Sequence, residues 1–422
     1  MAASPRGSVT PLFGRADGAV LDLPGFDAAA DGGAFTRADP ADFIPMPEGA
    51  LLLRLPGRSV GAYEGKRPIF IDHVAESEAF AVAAALPPGY TRTLLPAFAA
   101  RPGAPPLPLY GYAAVGWKNG AFAAAAIRTD TADAWATSAH PVEAVRSGVA
   151  RLARALPDNA VVGQLSKCAL EYGCYTAQNV FLRQGEAAIP VSCACNARCI
   201  GCISEQAPGS GVLAAQPRIN KPAPIADIVA VAVGHLADVS EAVVSFGQGC
   251  EGEPLLSAPR IAAAMRAIRA KTSAGVLHCN TNASRPSALE QLCDAGLQSM
   301  RVSLNSVRPH TYASYYRPLG YDFDDVCASI RVAARRGIAI SLNLLTHPGV
   351  TDDPQEIAAF DRFLRDFPIA MVQTRSLNID PEIYFEAVGR PRQRPYGMRA
   401  WLDRLRREFP HVRVGNFTRG FG

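Results

Sequence analysis

Three of the ten cysteines in this 422-residue chain are spaced as C-x3-C-x2-C, at Cys195, Cys199 and Cys202. Thiolates are the protein ligands of iron–sulfur clusters, and three of them on one short loop can bind three irons of a [4Fe–4S] cluster. The fourth iron would stay open to a small molecule that carries an amine and a carboxylate. The spacing therefore predicts a redox-active cluster with one exchangeable coordination site.

A structural zinc site is the main alternative from spacing alone, because Cys193 adds a fourth thiol and zinc accepts four thiolates. Structural zinc normally takes its ligands from two separated C-x2-C pairs, which this loop lacks. Cys168, Cys174, Cys193 and Cys250 could hold an auxiliary cluster, although burial as small apolar side chains is the commoner fate of such thiols. Since these thiols are scattered along predicted strands and helices, we predict one cluster per chain.

The elements that must position the cysteine loop follow from the pattern after residue 187, where short apolar runs alternate with longer amphipathic ones. This alternation is typical of repeated βα units around a parallel sheet. Six strands are predicted at residues 188–192, 242–247, 275–280, 299–304, 339–345 and 370–375. Five helices are predicted between them, at about 226–236, 258–270, 286–295, 324–336 and 354–367. In barrels of this type chemistry collects at the carboxyl ends of the strands, and the cysteine loop directly follows the first strand.

The cysteine loop and its place in the alternation resemble the signature of the radical S-adenosylmethionine (SAM) superfamily over about residues 187–378. The resemblance implies an α/β fold with a partial (β/α)6 TIM-like barrel. It also implies a [4Fe–4S] cluster and SAM as cofactors, and an external one-electron donor such as a flavodoxin or ferredoxin. The expected chemistry is reductive cleavage of SAM to a 5′-deoxyadenosyl radical, which abstracts hydrogen from a substrate. The substrate and the reaction subclass are not predicted.

Two further motifs are similar to those that bind SAM in this superfamily. Gly252, Glu253 and Pro254 follow the second strand and resemble the motif for the methionine amine, to which a carboxylate and a closely approaching glycine are suited. Ser303 and Asn305 end the fourth strand and resemble the ribose motif, in which hydroxyl and amide side chains bind the ribose hydroxyls. Taken alone, the two segments are also compatible with a glycine-rich turn and an ordinary strand end.

One position departs from the superfamily pattern. The residue before the last cysteine is often aromatic and packs against adenine, whereas here it is Gly201. The resemblance therefore implies backbone contacts from Gly201 to adenine. Other polar residues that could line the pocket or be satisfied buried groups are Asn280, Asn282, Asn343, Gln373, Arg375 and Asn378.

Two additional features lie near the predicted strand ends. Cys250 and Cys279, at the ends of the second and third strands, are expected to face the reaction chamber. The segment 308–318 follows the fourth strand, and its polar aromatic residues and arginines could contact an anionic substrate or pack on the surface.

The rest of the chain differs in composition from the predicted barrel. Residues 1–150 contain no cysteine and consist of short apolar runs broken by Pro and Gly, which predicts a β-rich N-terminal domain. Asn119-Gly120 predicts a hairpin turn within it. A helical connector is predicted over 151–186, the core barrel over 187–389, and a basic amphipathic helix and tail over 390–422.

Charge and hydropathy restrict the partners. The net charge of +4 is small for this length, but residues 390–422 carry nine arginines against Asp403 and Glu408. A tRNA-modifying enzyme is therefore one alternative, although a solvated basic helix face is the commoner explanation. The other alternative to the expected radical SAM activity is a non-catalytic iron–sulfur or zinc protein. Since no stretch reaches the roughly 20 apolar residues of a membrane span and the N-terminus lacks the apolar core of a signal peptide, a cytoplasmic protein without a membrane partner is expected.

Overall fold

The structure is a computed structural model that describes residues 8–131 and 135–418. Its first part is built from strands β1 (Leu12–Gly14), β2 (Val20–Asp22), β3 (Asp27–Asp31), β4 (Phe35–Arg37), β5 (Phe43–Pro45), β6 (Leu51–Arg54), β7 (Arg58–Glu64), β8 (Arg67–Ile71), β9 (His73–Val74), β10 (Ser77–Glu78), β11 (Phe80–Ala85), β12 (Tyr90–Arg92), β13 (Leu95–Pro96), β14 (Phe98–Ala100), β15 (Tyr112–Lys118) and β16 (Ala121–Arg128). The β-rich N-terminal region predicted from the sequence is therefore present.

These strands form two antiparallel sheets and a short hairpin, β9–β10. One sheet has the order β12-β16-β15-β11-β1-β2, with β5 and β6 attached, and the other the order β13-β3-β7-β14, with β4 and β8 attached. The predicted hairpin at Asn119-Gly120 joins β15 to β16, and both residues have a positive φ, of 52° and 82°. Positive φ at both central positions is what a two-residue hairpin with the right-handed strand twist requires.

Helices α1 (Val142–Ala155), α2 (Ala160–Leu170) and α3 (Tyr175–Leu182) connect the two parts of the chain. The second part contains β17 (Glu186–Ile189), α4 (Ile225–Asp238), β18 (Val243–Phe246), α5 (Ala258–Arg269), β19 (Val276–Thr281), α6 (Pro286–Asp294), β20 (Ser299–Leu304), α7 (Pro309–Tyr316), α8 (Phe323–Arg335), β21 (Ala339–Thr346), α9 (Pro354–Asp366), β22 (Ile369–Ser376), α10 (Pro381–Val388), α11 (Met398–Glu408) and β23 (Arg413–Gly415). All seven of its strands are parallel neighbours, in the order of the chain.

The six predicted strands occur in this sheet, with two differences. The first strand is Glu186–Ile189 rather than residues 188–192, because Pro190 has no N–H and the N–H groups of Val191 and Ser192 bind the Glu251 carboxylate instead of a neighbouring strand. The tail contributes a seventh strand, β23, which was not predicted and which pairs with β22. Its three residues are too short to give a sequence pattern.

The parallel sheet curls into a partial barrel. Strands β17 and β20 are three steps apart in the sheet, which would separate them by about 14 Å if the sheet were flat. Yet the charges of Glu186 on β17 and Arg301 on β20 act on each other, and Thr418 accepts a hydrogen bond from Arg301 at 3.2 Å. The concave face of the sheet therefore carries polar groups, while the apolar residues between them pack against the surrounding helices.

The N-terminal sheets are joined to the barrel through buried polar contacts. Arg92 of β12 is fully buried and donates to the carbonyl oxygens of Thr346 and Leu377, at the ends of β21 and β22. Arg58 of β7 forms a buried ion pair with Asp380, at 3.0 Å. Within residues 8–131 and 135–418, no helix combines the length and apolar character that crossing a bilayer requires.

Candidate functional site

The three predicted cluster ligands lie on the loop that leaves the carboxyl end of β17. Cys195, Cys199 and Cys202 are partly exposed free thiols. Burial raises the pKa of Cys199 well above its usual value, and the charges of Cys202 and Cys195 raise it further, so the three sulfurs lie near one another. In the described ranges no three His, Cys, Asp or Glu side chains surround a single point as ligands of one ion would. In an iron–sulfur cluster the thiolates bind different irons.

A cation stands beside the last thiol of the loop. Arg218 directs its Nη2 atom toward the Cys202 sulfur at 3.7 Å, and it also forms an ion pair with Glu205. A guanidinium in this position can donate a hydrogen bond to the sulfur, and thiolates are the form of cysteine that binds iron. The donor set and its charge environment therefore fit an iron–sulfur cluster.

One side of the cysteine loop is hydrogen-bonded to the loop after β18. Gly252 donates its N–H to the Ser192 carbonyl at 2.7 Å, and Glu253 donates its N–H to the Ala194 carbonyl at 2.8 Å. A Cβ atom at position 252 would lie 2.0 Å from the Ala194 oxygen. Glycine is thus required at this position because two backbones meet there, whereas the sequence analysis assigned the close approach of Gly252 to the ligand.

The other side of the cysteine loop is held by the segment that ends α7. Arg198 donates its N–H to the Tyr316 carbonyl at 3.0 Å, and Ile200 donates to the Tyr315 carbonyl at 3.1 Å. Leu319 in turn donates to the Asn196 carbonyl at 2.8 Å. Part of the segment 308–318 therefore supports the cysteine loop, a role that the sequence did not indicate.

The two glutamates of the loop after β18 differ in the hydrogen bonds that they accept. The Glu251 carboxylate accepts four backbone N–H groups, from Val191, Ser192, Gly247 and Gln248. An ionised carboxylate has about four acceptor positions, so none remains for a ligand. Glu251 therefore joins the end of β17 to the end of β18. The sequence analysis missed this role, and the only signal for it was a second acidic residue next to the predicted motif.

The Glu253 carboxylate has an acceptor position left. It is buried and accepts hydrogen bonds from the N–H groups of Leu255, at 3.0 Å, and Asn282, at 2.8 Å, and from the Thr281 hydroxyl. Three of about four acceptor positions are used, so one can still bind an ammonium group. Burial raises the pKa of Glu253 to about 7, while the Asn282 N–H favours the ionised form. Pro254 follows it as the first residue of a buried 3-10 helix, Pro254–Ser257.

An amide network ties the cysteine loop to the end of β19. Asn282 donates its side-chain N–H to the Asn196 oxygen at 3.0 Å, and Asn196 donates to the Ser284 hydroxyl at 2.9 Å. Because the backbone N–H of Asn282 also binds Glu253, this carboxylate is linked to the cysteine loop through two different routes. Asn282 is thus brought to the site, in a supporting position.

The predicted ribose motif lies at the end of β20 on the concave side of the sheet. Asn305 is buried, and its amide N–H groups bind the Thr311 carbonyl at 3.2 Å and the Tyr384 hydroxyl at 3.1 Å. Its side-chain oxygen has no partner in the described structure and is free to accept a hydrogen bond. Ser303 is partly exposed two residues earlier, so both side chains have the same parity along the strand.

Gly201 lies against an aromatic ring from another element. A Cβ atom at this position would be 2.9 Å from the hydroxyl oxygen and 3.3 Å from a ring carbon of Tyr315, and 3.1 Å from the Asn378 carbonyl oxygen. Tyr315 on α7 therefore occupies the space beside the loop that a side chain at position 201 would need. This explains the departure from the superfamily pattern at Gly201.

The other thiols occupy different positions from those expected. The thiols of Cys250 and Cys168 of α2 lie close enough to act on each other, so the prediction that Cys250 faces the chamber is wrong. Cys279 alternates with His278 and Asn280, whose side chains bind each other on the concave face, so it points toward the helices instead. The thiols outside the cysteine loop lie on separate elements, as expected, but Cys168 and Cys250 are neighbours in space.

A family model described as the radical SAM superfamily matches residues 189–360 of the chain. No curated protein is similar enough in sequence to count as a relative. Among solved structures, the chain is similar to HydG, a maturase of the [FeFe]-hydrogenase (13% identity, TM-score 0.38, covering 65% of this chain and 63% of HydG). It is also similar to methylornithine synthase, PylB (13%, TM-score 0.36, 65% and 75%).

A third similar structure is the radical SAM methyltransferase TsrM from Kitasatospora setae (17% identity, TM-score 0.35, covering 47% of this chain and 36% of TsrM). The chain thus spans less than two thirds of the length of HydG and TsrM. At these TM-scores the family assignment depends on the sequence match, which includes all three cysteines of the loop and the motif at Gly252. Residues 189–360 are therefore a domain that matches the radical SAM superfamily, whose members use a [4Fe–4S] cluster and SAM.

Proposed function

We propose that Cys195, Cys199 and Cys202 hold the cluster and that the enzyme cleaves SAM reductively and abstracts hydrogen from a substrate inside the barrel. The observation that carries this proposal is that the three thiols lie at the carboxyl end of β17, on a loop that is hydrogen-bonded to Gly252 on one side and to the end of α7 on the other. The bound cluster supplies one electron to SAM, which yields the 5′-deoxyadenosyl radical. An external flavodoxin or ferredoxin in the cytoplasm is the proposed electron source.

The residues around the loop are suited to the parts of SAM. Glu253 has a free acceptor position for the methionine amine, beside the buried Pro254. Asn305 has a free side-chain oxygen for a ribose hydroxyl, with Ser303 on the same face. The backbone at Gly201 is the proposed contact for adenine, since Tyr315 leaves no room for a side chain there.

Reconstituted protein reduced with dithionite is expected to form 5′-deoxyadenosine from SAM under anaerobic conditions. The product can be measured by liquid chromatography and mass spectrometry, with protein lacking added iron and sulfide as the control. Complete absence of the product from protein that carries a reduced cluster would contradict the proposed activity. It would instead favour a non-catalytic iron–sulfur protein.

Replacing Asn305 by Ala is expected to weaken SAM binding about tenfold, because the neutral hydrogen bond to the ribose is lost. Glu253→Gln removes the charge that attracts the ammonium, and we expect a loss of roughly ten- to hundredfold in affinity. Equilibrium binding of SAM to the reconstituted variants measures both effects.

Asn343→Ala is a suitable control, because Asn343 is an amide on the neighbouring strand that is not assigned to SAM. The cluster absorption of each variant must be compared with that of the wild type, since Glu253 also supports the cysteine loop through Asn282. Unchanged SAM affinity in both Asn305→Ala and Glu253→Gln would show that the cofactor binds elsewhere.

The basic tail supplies little support for a tRNA substrate. Five tail arginines pair with carboxylates, as Arg390–Asp31, Arg399–Asp42, Arg404–Asp361, Arg406–Asp403 and Arg407–Glu408. Three of these carboxylates belong to other parts of the chain, so the arginines also fasten the tail to the body of the protein. Retention of tRNA at low salt would nevertheless favour tRNA modification, because binding to phosphates depends strongly on salt.

A further inference from the structure

A cavity of about 410 Å³ lies where the chain leaves the carboxyl ends of β20 and β21. Its walls are formed by residues 308–311 and 349–355, which follow these two strands, and by residues 388–393, which follow α10. Ligand cavities in proteins measure roughly 300–1,000 Å³, so this one can hold a small organic molecule. None of its lining residues is assigned to the cluster or to SAM.

The first turn of α7 meets this cavity with unpaired backbone donors. Its N-cap residue is Arg308, whose side chain forms no capping hydrogen bond. The backbone N–H groups of His310 and Thr311 have no hydrogen-bond partner among the described residues. The first turn of α9 differs, because its N-cap carboxylate, Asp353, accepts two backbone N–H groups. Free N–H groups at a helix N-terminus favour the binding of an anion.

The Thr311 side chain is a second donor on the same wall. Thr311 is only 4% exposed, and its hydroxyl has no hydrogen-bond partner in the described part of the chain. Burying a hydroxyl without a partner costs free energy, so buried hydroxyls usually bind another polar group. Since Thr311 lines the cavity, its hydroxyl indicates a hydrogen-bonding ligand at the same place as the free N–H groups.

Three arginines line the cavity around this helix end. Arg308 is held by two carboxylates, the nearer of which is Glu356 at 2.8 Å, and Arg390 is held by Asp31 at 2.9 Å. These two arginines are balanced, although the Nη2 group of each has no polar partner within the described ranges. Arg392 is exposed and forms no ion pair with any described carboxylate. One guanidinium is therefore left for an anion from outside the chain.

We propose that this cavity binds the oxyanion of a small organic molecule, a phosphate or a carboxylate, at the N-terminus of α7, with Thr311 and Arg392 as additional donors. The Thr311 carbonyl accepts a side-chain N–H of Asn305 at 3.2 Å, so residue 311 lies between the cavity and the residue assigned to the ribose of SAM. The ligand is therefore assigned as the substrate, which rests on the proposed function. The substrate is then an anionic molecule.

Equilibrium dialysis of the reconstituted protein, freed of unbound iron, against radiolabelled inorganic phosphate or radiolabelled succinate tests the site. Sodium chloride keeps the ionic strength constant. We expect saturable binding of about one anion per chain. Tighter binding of phosphate identifies a phosphate ligand, and tighter binding of succinate identifies a carboxylate. Absence of saturable binding of both anions would overturn the proposal.

Variants at the two side-chain donors locate the anion. Thr311→Val keeps the shape of the side chain and is expected to weaken binding roughly fivefold, because one hydrogen bond is lost, whereas Thr311→Ser keeps the hydroxyl and the affinity. Arg392→Gln is expected to weaken binding by a similar factor of roughly five, since the arginine is exposed. The matched control is Arg394→Gln, at an exposed arginine outside the cavity, which is expected to bind as the wild type does.

Two patterns among these variants would contradict the assignment. Equal affinity of the wild type, Thr311→Val and Arg392→Gln would place the anion elsewhere and overturn the site. Binding by Thr311→Ser as weak as that by Thr311→Val would show that the hydroxyl is not the donor.

SAM itself carries a carboxylate, so the dialysis is repeated with unlabelled SAM. We expect the bound anion to stay in place, because the cavity is separate from the residues assigned to SAM. Displacement of the anion by SAM would assign the cavity to SAM and overturn the proposal. None of these measurements needs turnover. Failure of the wild type to form 5′-deoxyadenosine would therefore contradict the proposed function separately.

Discussion

Reconstituted protein in which Cys195, Cys199 and Cys202 are all replaced by Ala is expected to lose nearly all of the roughly four irons that a single [4Fe–4S] cluster contributes per chain. The physical reason is that these three thiols lie on one loop and act on one another, while the cluster has no other assigned protein ligands. Formation of 5′-deoxyadenosine is expected to disappear with the iron. Iron and sulfide analysis and the visible absorption spectrum measure the loss.

The matched control is Cys293→Ala combined with Cys327→Ala, at two thiols on α6 and α8 outside the site. This variant is expected to keep its iron. If the triple variant instead retains about four irons and a [4Fe–4S] spectrum, a second cluster exists. Cys168, Cys174, Cys193 and Cys250 would then be the first candidate ligands, since Cys168 and Cys250 are in contact and the Cys174 N–H binds the Cys168 carbonyl at 3.0 Å.

Gly252→Ala is expected to lower both cluster loading and stability, although it adds a single methyl group. The new Cβ would lie 2.0 Å from the oxygen and 2.4 Å from the carbon of the Ala194 carbonyl. These are backbone atoms of the cysteine loop, so relief requires the loop to move away from Gly252 and to lose the hydrogen bonds at Ser192 and Ala194. Overpacking of this kind typically costs about 1–3 kcal/mol.

The matched control is Gly234→Ala in α4, where a Cβ would meet no atom within 4 Å. Alanine is favoured over glycine inside a helix by roughly 0.5–1 kcal/mol, so this variant is expected to be at least as stable as the wild type. Iron content after reconstitution and the midpoint of denaturant unfolding compare the two. Iron loading of Gly252→Ala equal to that of the wild type would show that the hydrogen bonds between the cysteine loop and the loop after β18 are not needed for cluster binding.

The parts of the site that the sequence predicted are those whose members lie within a few residues of one another. Cys195, Cys199 and Cys202 share one loop, so the spacing alone brings their thiols together. The strand Ser299–Leu304 was predicted with its observed limits, because its alternating apolar residues and bounding turn are local features. The parity of Ser303 and Asn305 follows from the same strand geometry.

Contacts between distant parts of the chain were decided only by the tertiary structure. Glu251 and Glu253 cannot be distinguished from the sequence. Donors from Val191 and Ser192 complete the hydrogen bonds of the Glu251 carboxylate. Donors from Thr281 and Asn282 leave the Glu253 carboxylate with a free acceptor position. Likewise, Cys250 faces Cys168 because α2 packs on the loop after β18. Neither pairing leaves a periodic signal along the chain.

The sequence by itself thus predicted the cluster ligands, the order of six parallel strands and the resemblance of the core to the radical SAM superfamily; the structure shows the strand order, and the family model matches residues 189–360. The tertiary structure decided the support of the cysteine loop by the end of α7, the seventh strand β23, and the approach of Cys250 to Cys168. The physical reason is that spacing and periodicity report the neighbours of a residue along its own loop, helix or strand. Hydrogen bonding, burial and charge balance depend on elements that meet only when the sheet curls and the helices pack on it.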